Sequence, residues 1–485
     1  VKIDSKNQRL IIGTTSKAYI FDLKKQEPTC ILDNQTQRNH DERLDIRDIT
    51  ILNNTIWFST FNGIYIYNSW THSLKRLTHS VFDNSSLSSN AIKQITIDMD
   101  NGIWICNDNN GINYGAPYRP FRYIKDTGEN NFKGNIIHDI HISQDSIIYI
   151  GTEDKGLNEI SNIEKNILFK HWDNNHGLSQ NSIHGLTSTK DAVWVGTINK
   201  GIDVINKKDG KIIKHYDLKG NTQKYKNDDI VCLYQTKDNT IYAGTSYGLY
   251  QYDRKLDQFT YLSNMPNSRI QCLLEDHSGT LWIATFGAGV YYCKKNSEYA
   301  ERLNTKNLFS FGHEKAVNSI FEDSNNNIWF ATGSGLYKLN PATMEFKSYT
   351  TTNGLPSNVT FRIEEDDRNR LWISSSNGLI LFIPENDSIA AIFKHEHGLI
   401  SNHFNYNSSA RDNKGNFYFG TIKGLVYFNA NTIETSSIKP KIYIDKIKFT
   451  QSETNDNSEM NVFMQDKLTL KHDQSSFSIN YCALN

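Results

Sequence analysis

Ten copies of one short phrase run through this chain, and nothing else in it restricts the fold as tightly. Aligned on their second letter they read LIIGT, IWFST, IWICN, IYIGT, VWVGT, IYAGT, LWIAT, IWFAT, LWISS and FYFGT, centred on Ile11, Trp57, Trp104, Tyr149, Trp194, Tyr242, Trp282, Trp329, Trp372 and Tyr418 and spaced 40 to 48 residues apart. Two residues on stands a small residue in all ten, threonine follows in eight, and a glycine stands six or seven residues after the aromatic in nine. Small residues let neighbouring sheets approach, and the glycine supplies a tight turn between two strands. Each unit also has an apolar run upstream, such as IVCLYQT or VNSIFED, and a short strand downstream, such as QFTYL or FKSYT. Four short strands in about 45 residues is the arithmetic of a β-propeller blade.

Ten blades exceed the roughly four to eight of one ring, so the repeats must be divided. After the third unit the pattern breaks at NYGAPYRPFRYIKDTGENNF; seven units follow and end at GTIKGLVYFN. The strand FRYI, residues 121–124, supplies the outer strand that the seventh unit lacks. The expected architecture is all-β: three blades of a first propeller over 1–120, a complete seven-bladed propeller over 121–430, and the start of a β-sandwich over 437–485. That last segment, KPKIYIDKIKF with LTLKHDQSSFSINYCALN, alternates with period two and lacks the blade phrase. The chain opens on Val1 and stops in what reads as mid-strand, so both ends are expected to be cuts in a longer protein.

Composition agrees with a β-rich chain, aromatic residues making up 12% with 25 Tyr and 24 Phe. Lysine plus arginine is 52 against 53 for aspartate plus glutamate, which leaves no net field to hold nucleic acid or an anionic membrane. No apolar run approaches a membrane span, and no signal peptide is visible. Cys106, Cys232 and Cys272 lie in apolar strand patterns and read as small buried hydrophobes rather than disulfide partners or metal ligands.

The stretch NGLPSNVTFRIEEDDRNRLWISSSNGL, residues 353–379, resembles a carboxylate cluster of a sugar-cleaving site. Register argues otherwise. Asp98, Asp276, Asp323, Asp366 and Asp412 stand six residues before the blade aromatic, where Ser143, Ser188 and Thr236 stand in three other units. These types share a turn-capping oxygen, not acid-base chemistry. Asp366 therefore reads as a turn residue and Trp372 as packing, with Arg362 or Glu364 left to face the central channel. In HEHGL, residues 395–399, the H-x-H spacing would suit a metal on a strand, but His397 aligns with His176 and with Asn353, so no metal is expected there. FGAGV, residues 286–290, falls on a blade hairpin rather than a phosphate loop, and no cofactor is expected.

Ligand contacts are expected from loops on one propeller face. After the blade threonines these carry Glu153, Lys155, Asn199, Lys200, Tyr247, Phe286 and Lys423; leading into the innermost strands they carry His184, Asp228, Arg269, His403, Phe404 and Asn405. Aromatics with hydrogen-bonding side chains suit a sugar, which has an apolar ring face and a fringe of hydroxyls.

Taken together, SNVTFRIEEDDRNRLWISSSNGL, GLSQNSIHGL, HGLISNHFNYNSSARDNKGNFYFGTIKGL and the tail KPKIYIDKIKF…FSINYCALN resemble the sensor region of hybrid two-component systems of gut bacteria. The resemblance implies two seven-bladed propellers built of two-component-regulator repeats, then an immunoglobulin-like domain named for its tyrosine pattern. It further implies a periplasmic, homodimeric, non-enzymatic sensor of oligosaccharides, signalling through a membrane helix outside these residues to a histidine kinase that regulates carbohydrate use. Two other readings remain at this point: a propeller glycoside hydrolase or polysaccharide lyase, and a protein-binding scaffold.

Overall fold

The computed structural model describes residues 1–33, 44–80, 86–98, 102–115, 120–128, 131–161, 163, 167–218, 229–295, 297–303, 316–433, 441–450, 457–461 and 476–484. Asp228 lies outside them. The chain forms two compact units, Arg119–Thr435, and Val1–Tyr118 with Ser436–Asn485.

Within Arg119–Thr435, seven four-stranded antiparallel sheets are found among the described residues. Each runs in sequence order from an innermost strand outwards, except the last, whose strands run Phe404–Arg411, Asn416–Thr421, Gly424–Asn429 and then Arg122–Ile124. Arg122 pairs with Tyr427, Tyr123 with Val426 and Ile124 with Leu425, so the start of the unit supplies the outer strand of its end. Innermost strands pack each on the next around the circle, and Phe404–Arg411 closes it against Ile137–Ile142.

Each letter of the repeated phrase has a physical task. The small residue faces the next sheet: a Cβ on Gly196 would lie 2.4 Å from Ile230 Cγ2, and one on Gly151 2.7 Å from Ile183 Cγ2. The threonine hydroxyl donates to the carbonyl of the hairpin glycine, as in Thr152 to Gly156 (2.8 Å), Thr197 to Gly201 (2.9 Å) and Thr332 to Gly335 (2.7 Å), and Ser375 does the same to Gly378 (2.7 Å). These hydroxyls are buried, so the bond is strongly preferred over an unpaired donor.

The aspartates six residues before the aromatic are turn residues with a second role. Asp366 Oδ1 accepts the backbone N–H of Arg368 (2.9 Å) and Arg370 (3.1 Å), while Oδ2 accepts the Trp372 indole N–H (2.9 Å) and the Arg370 guanidinium (2.8 Å). Asp276 and Asp323 repeat this with Trp282 (2.8 Å) and Trp329 (2.7 Å), and Asp412 accepts the Tyr418 hydroxyl (3.1 Å). Trp372 is fully buried, stacked on Phe393 with ring centroids 5.6 Å apart. Cys232 and Cys272 are buried thiols, whereas Cys106 is only half-buried.

HEHGL departs from the strand that H-x-H spacing presupposes. His395–His397 is a 3-10 turn capped by Gly398 at φ 100°, like Asn174–His176 before Gly177 and Thr351–Asn353 before Gly354. His397 Nδ1 accepts the Lys394 N–H (2.9 Å), which is why asparagine substitutes for it in register.

In the other unit, residues 1–33 form one four-stranded sheet, Asp48–Leu52 to Leu74–Leu77 bound a second, and Ile92–Ile97, Ile103–Asn107 and Ile112–Gly115 form three strands of a third. The tail forms a separate antiparallel sheet with Lys441–Thr450 between Asn457–Asn461 and Ser476–Leu484.

Candidate functional site at the channel mouth

The loops after the blade threonines and those leading into the innermost strands share one face of the ring. Backbone bonds join them within each sheet: Glu153 N–H to Ile136 O (3.0 Å), Ile198 to Ser182 (3.2 Å), Ser246 to Asp229 (3.3 Å), Ser376 to Val359 (3.1 Å) and Ile422 to His403 (3.4 Å). Just below this face the innermost strand slips against the second in all seven sheets. Six sheets carry one extra residue there, including His138, His184, Val231, Gln271 and Asn318. A bulge re-aims a side chain that a regular strand would turn into the sheet. A ring of re-aimed side chains thus surrounds the channel mouth.

The seventh sheet carries three extra residues, since Phe404 pairs with Thr421 and Ser409 with Phe419. The resulting loop crosses the channel. Asn407, at φ 50°, donates its side-chain amide to Val231 O (3.3 Å) and Gln271 O (3.0 Å) in the third and fourth sheets. Asn405 donates to Ile137 O (2.9 Å) in the first. Of the entry-loop candidates, Asn405 and Phe404 are therefore buried and support the mouth.

Arg362 faces the channel beneath, donating to Ser409 Oγ (3.0 Å) and Ser319 Oγ (3.3 Å) and lying 3.7 Å from Cys272 Sγ. Glu364 faces it as well, accepting from Ser409 Oγ (2.6 Å). Asp139 accepts the backbone N–H of Leu186 (2.6 Å) and Ile140 (2.8 Å); burial pushes its carboxyl up to about 7, with the Arg362 charge and these bonds opposing. Burial likewise holds Glu364 above the ordinary carboxylate range, opposed by Arg362, Ser409 and Arg411. A carboxyl that keeps its proton longer when folded makes stability fall as pH rises from its ordinary value of 4.5 towards its raised one. Glu364→Gln is expected to remove that contribution, so the urea midpoint of the wild type should fall relative to the variant as pH rises through this window. A gap independent of pH would count against it.

Glu153 and His184 come together on the face, with a third residue that motif reading does not reach. Glu153 Oε2 takes a hydrogen bond from His184 Nε2 (3.2 Å) and contacts His138 Nε2, while the two imidazoles stack with centroids 4.0 Å apart and an interplanar angle of 17°. His138 and His184 follow Ile137 and Ile183 at the same position of neighbouring sheets, and this coincidence in register is the signal that would have found the pair. Burial first, then the His184 ring and the Arg269 guanidinium, hold His138 down to about 4 against the pull of Glu153. The bond from His184 holds Glu153 below its usual range.

The remaining candidates are spread around the rim. Lys155, Lys200, His403 and Lys423 are exposed, and Arg269 is half-buried beside Gln271, its Nε 3.4 Å from the Gln271 amide oxygen. Asn199 is exposed, with its backbone N–H on Asp229 (3.1 Å). Tyr247 and Phe286 are exposed, as are Ile136, Tyr406 and Ile422, which lie on the same face. A separate open groove lined by Trp172, His176, Gly177, Gly210, Lys211 and Ile212 lies at the outer strands of the first two sheets, away from this chemistry. Trp172 there already donates its indole N–H to Gly210 O (2.8 Å). We take the mouth as the candidate site because the re-aimed polar groups converge there.

Residues 264–287 and 312–334 match the two-component regulator propeller family. Histidine kinase P4 of Formosa agariphila is 25% identical over 370 residues, covering 72% of this chain and 27% of that protein. The extracellular domain of a putative hybrid two-component system from B. thetaiotaomicron superposes with a TM-score of 0.76 at 22% identity, over 98% of this chain and 62% of that one. The extracellular domain of a putative one component system from B. thetaiotaomicron gives 0.55 at 19% identity, over 99% and 65%. The chain thus spans less than two thirds of the length of each of these relatives. Two stretches of the ring thus match the repeat of the two-component regulator propeller family, and the chain shares the all-β fold of these extracellular domains.

Proposed function

We propose that this chain is the extracytoplasmic, ligand-sensing part of a hybrid two-component histidine kinase, and that glycan-derived oligosaccharides bind at the channel-mouth face. The observation that carries the reading is the make-up of that face: exposed Tyr247, Phe286 and Tyr406 beside Lys155, Lys200, His403 and Lys423, on loops braced by a closed ring. Aromatic faces stack on sugar rings while ammonium and imidazole groups meet the hydroxyl fringe. The kinase relative and the extracellular sensor domains of the same fold support the setting. Among the described residues no helix is long and apolar enough to cross a membrane. In this reading the chain is periplasmic and works as a homodimer, and ligand shifts the dimer by binding one arrangement more tightly than the other. The kinase output then regulates genes for carbohydrate use.

The test is a binding screen of purified protein against glycan fragments with analysis of the recovered ligand. Saturable binding of unchanged ligand is expected, and cleavage products would overturn the sensor reading. Phe286→Ala and Lys423→Ala should each weaken binding about tenfold or more with melting temperature retained, as loss of one stacking or charged contact implies. Unaltered affinity in both variants would remove this face.

A further inference from the structure

His138, Glu153 and His184 make up the one group of three potential metal-ligating side chains among the described residues, their ligand atoms lying within 4.8 Å of one another. The set comes from three rigidly placed segments. His138 and His184 are the bulged residues of adjacent innermost strands, and Asp139 ties those strands together through the Leu186 N–H. Glu153 is fixed by its own N–H on Ile136 O. We propose that these three side chains form a binding site for a divalent first-row transition-metal ion, for which zinc is the best fit.

Two imidazoles and one carboxylate are the donor set of open zinc sites, which keep a fourth position for water or an incoming ligand. Donors around a tetrahedral zinc ion stand roughly 3.3 Å apart, given metal-ligand distances of about 2.0–2.2 Å. The present spacing brackets that value, with Glu153 Oε2 3.2 Å from His184 Nε2 and the group spanning at most 4.8 Å. Both imidazole Nε2 atoms already address the same carboxylate oxygen, so an ion binding there takes over those hydrogen bonds, with one ring turning out of the present stack so that both lone pairs converge on it. Exposure agrees, since the histidine side chains are only 17% and 11% exposed while Glu153 is 43% exposed, so the open side faces the channel-mouth surface. Ser182 Oγ, 3.2 Å from His184 Nε2, borders that side. Mixed nitrogen and oxygen donors disfavour calcium and magnesium, which prefer all-oxygen shells.

Purified chain, stripped with chelator and dialysed, is titrated with zinc chloride by calorimetry in a non-coordinating buffer. One saturable site per chain is expected, unaffected by excess calcium or magnesium. His138→Gln, His184→Gln and Glu153→Gln should each weaken it by about 100-fold or more, beyond the 10–100-fold typical of losing an outer partner, while His395→Gln leaves it unchanged. Because substitutions in the ring can disturb folding, the wild type provides a second measurement. Zinc should slow modification of His138 and His184 by diethyl pyrocarbonate, mapped by mass spectrometry, and leave His395 and His397 reactive. Absence of saturable zinc binding, binding retained in both histidine variants, or protection that spares His138 and His184 would each overturn the assignment.

Discussion

Asp366→Ala is expected to destabilise the ring by about 3–5 kcal/mol, the range for removing one partner of a buried ion pair. Four groups lose their acceptor at once: two backbone N–H groups, the Trp372 indole and the Arg370 guanidinium. Arg370 is 10% exposed and Asp366 1% at their side chains, so water cannot replace the lost oxygens. Asp98→Ala provides the comparison. It removes the bonds to Gly102 N–H (2.6 Å) and Trp104 (2.8 Å), but Trp104 is 44% exposed, so its indole can turn to water, and about 1 kcal/mol is expected. Urea unfolding of the two variants separates a structural aspartate from a catalytic one. Wild-type stability in Asp366→Ala would refute the anchoring role and reopen the carboxylate cluster as chemistry.

The second large effect is at a glycine. Gly201 sits at φ +67°, and a Cβ there would lie 2.1 Å from Tyr216 O and 3.1 Å from its carbonyl carbon. That oxygen belongs to the strand paired with Ile202, so it cannot withdraw without opening the sheet. Gly201→Ala should cost about 2–5 kcal/mol, combining left-handed strain with overpacking. Gly128→Ala, at φ +77° with nothing within 4 Å, should show the strain alone, about 1 kcal/mol. Equal melting temperatures for the two variants would show that the close carbonyl is not what demands glycine at Gly201.

What the chain announces about itself is whatever repeats. The glycine, the threonine and the aspartate each recur because every sheet solves the same local problem, so alignment of the chain with itself exposes Asp366 as a turn residue and Arg122–Ile124 as a missing outer strand. The mouth is different in kind. Asn407 meets Val231 and Gln271 across 176 and 136 residues, contacts created by closing the circle rather than by any local spacing, and His138 meets His184 only because equivalent bulges of two neighbouring sheets stack. The inward turn of the run SNHFNYN has no signature in the sequence, because three extra residues could equally extend a surface loop. Asn405 is buried by that turn, and Glu153 and His184 meet a shared partner, His138, that reading the loops alone does not reach.

The strand Arg122–Ile124 has a mechanical consequence. Sheets stacked in an open array can fray from either terminus, each loss exposing only the next neighbour. Here the terminal sheet is stitched from both extremities of the unit, so peeling back either one disrupts the same sheet: losing Arg122–Ile124 uncovers the edge of Gly424–Asn429, and losing Gly424–Asn429 strips Arg122–Ile124 of its partner. The ring is therefore a hoop rather than a stack: a pull applied at residue 121 or at residue 433 is resisted at one seam, the sheet that holds both extremities.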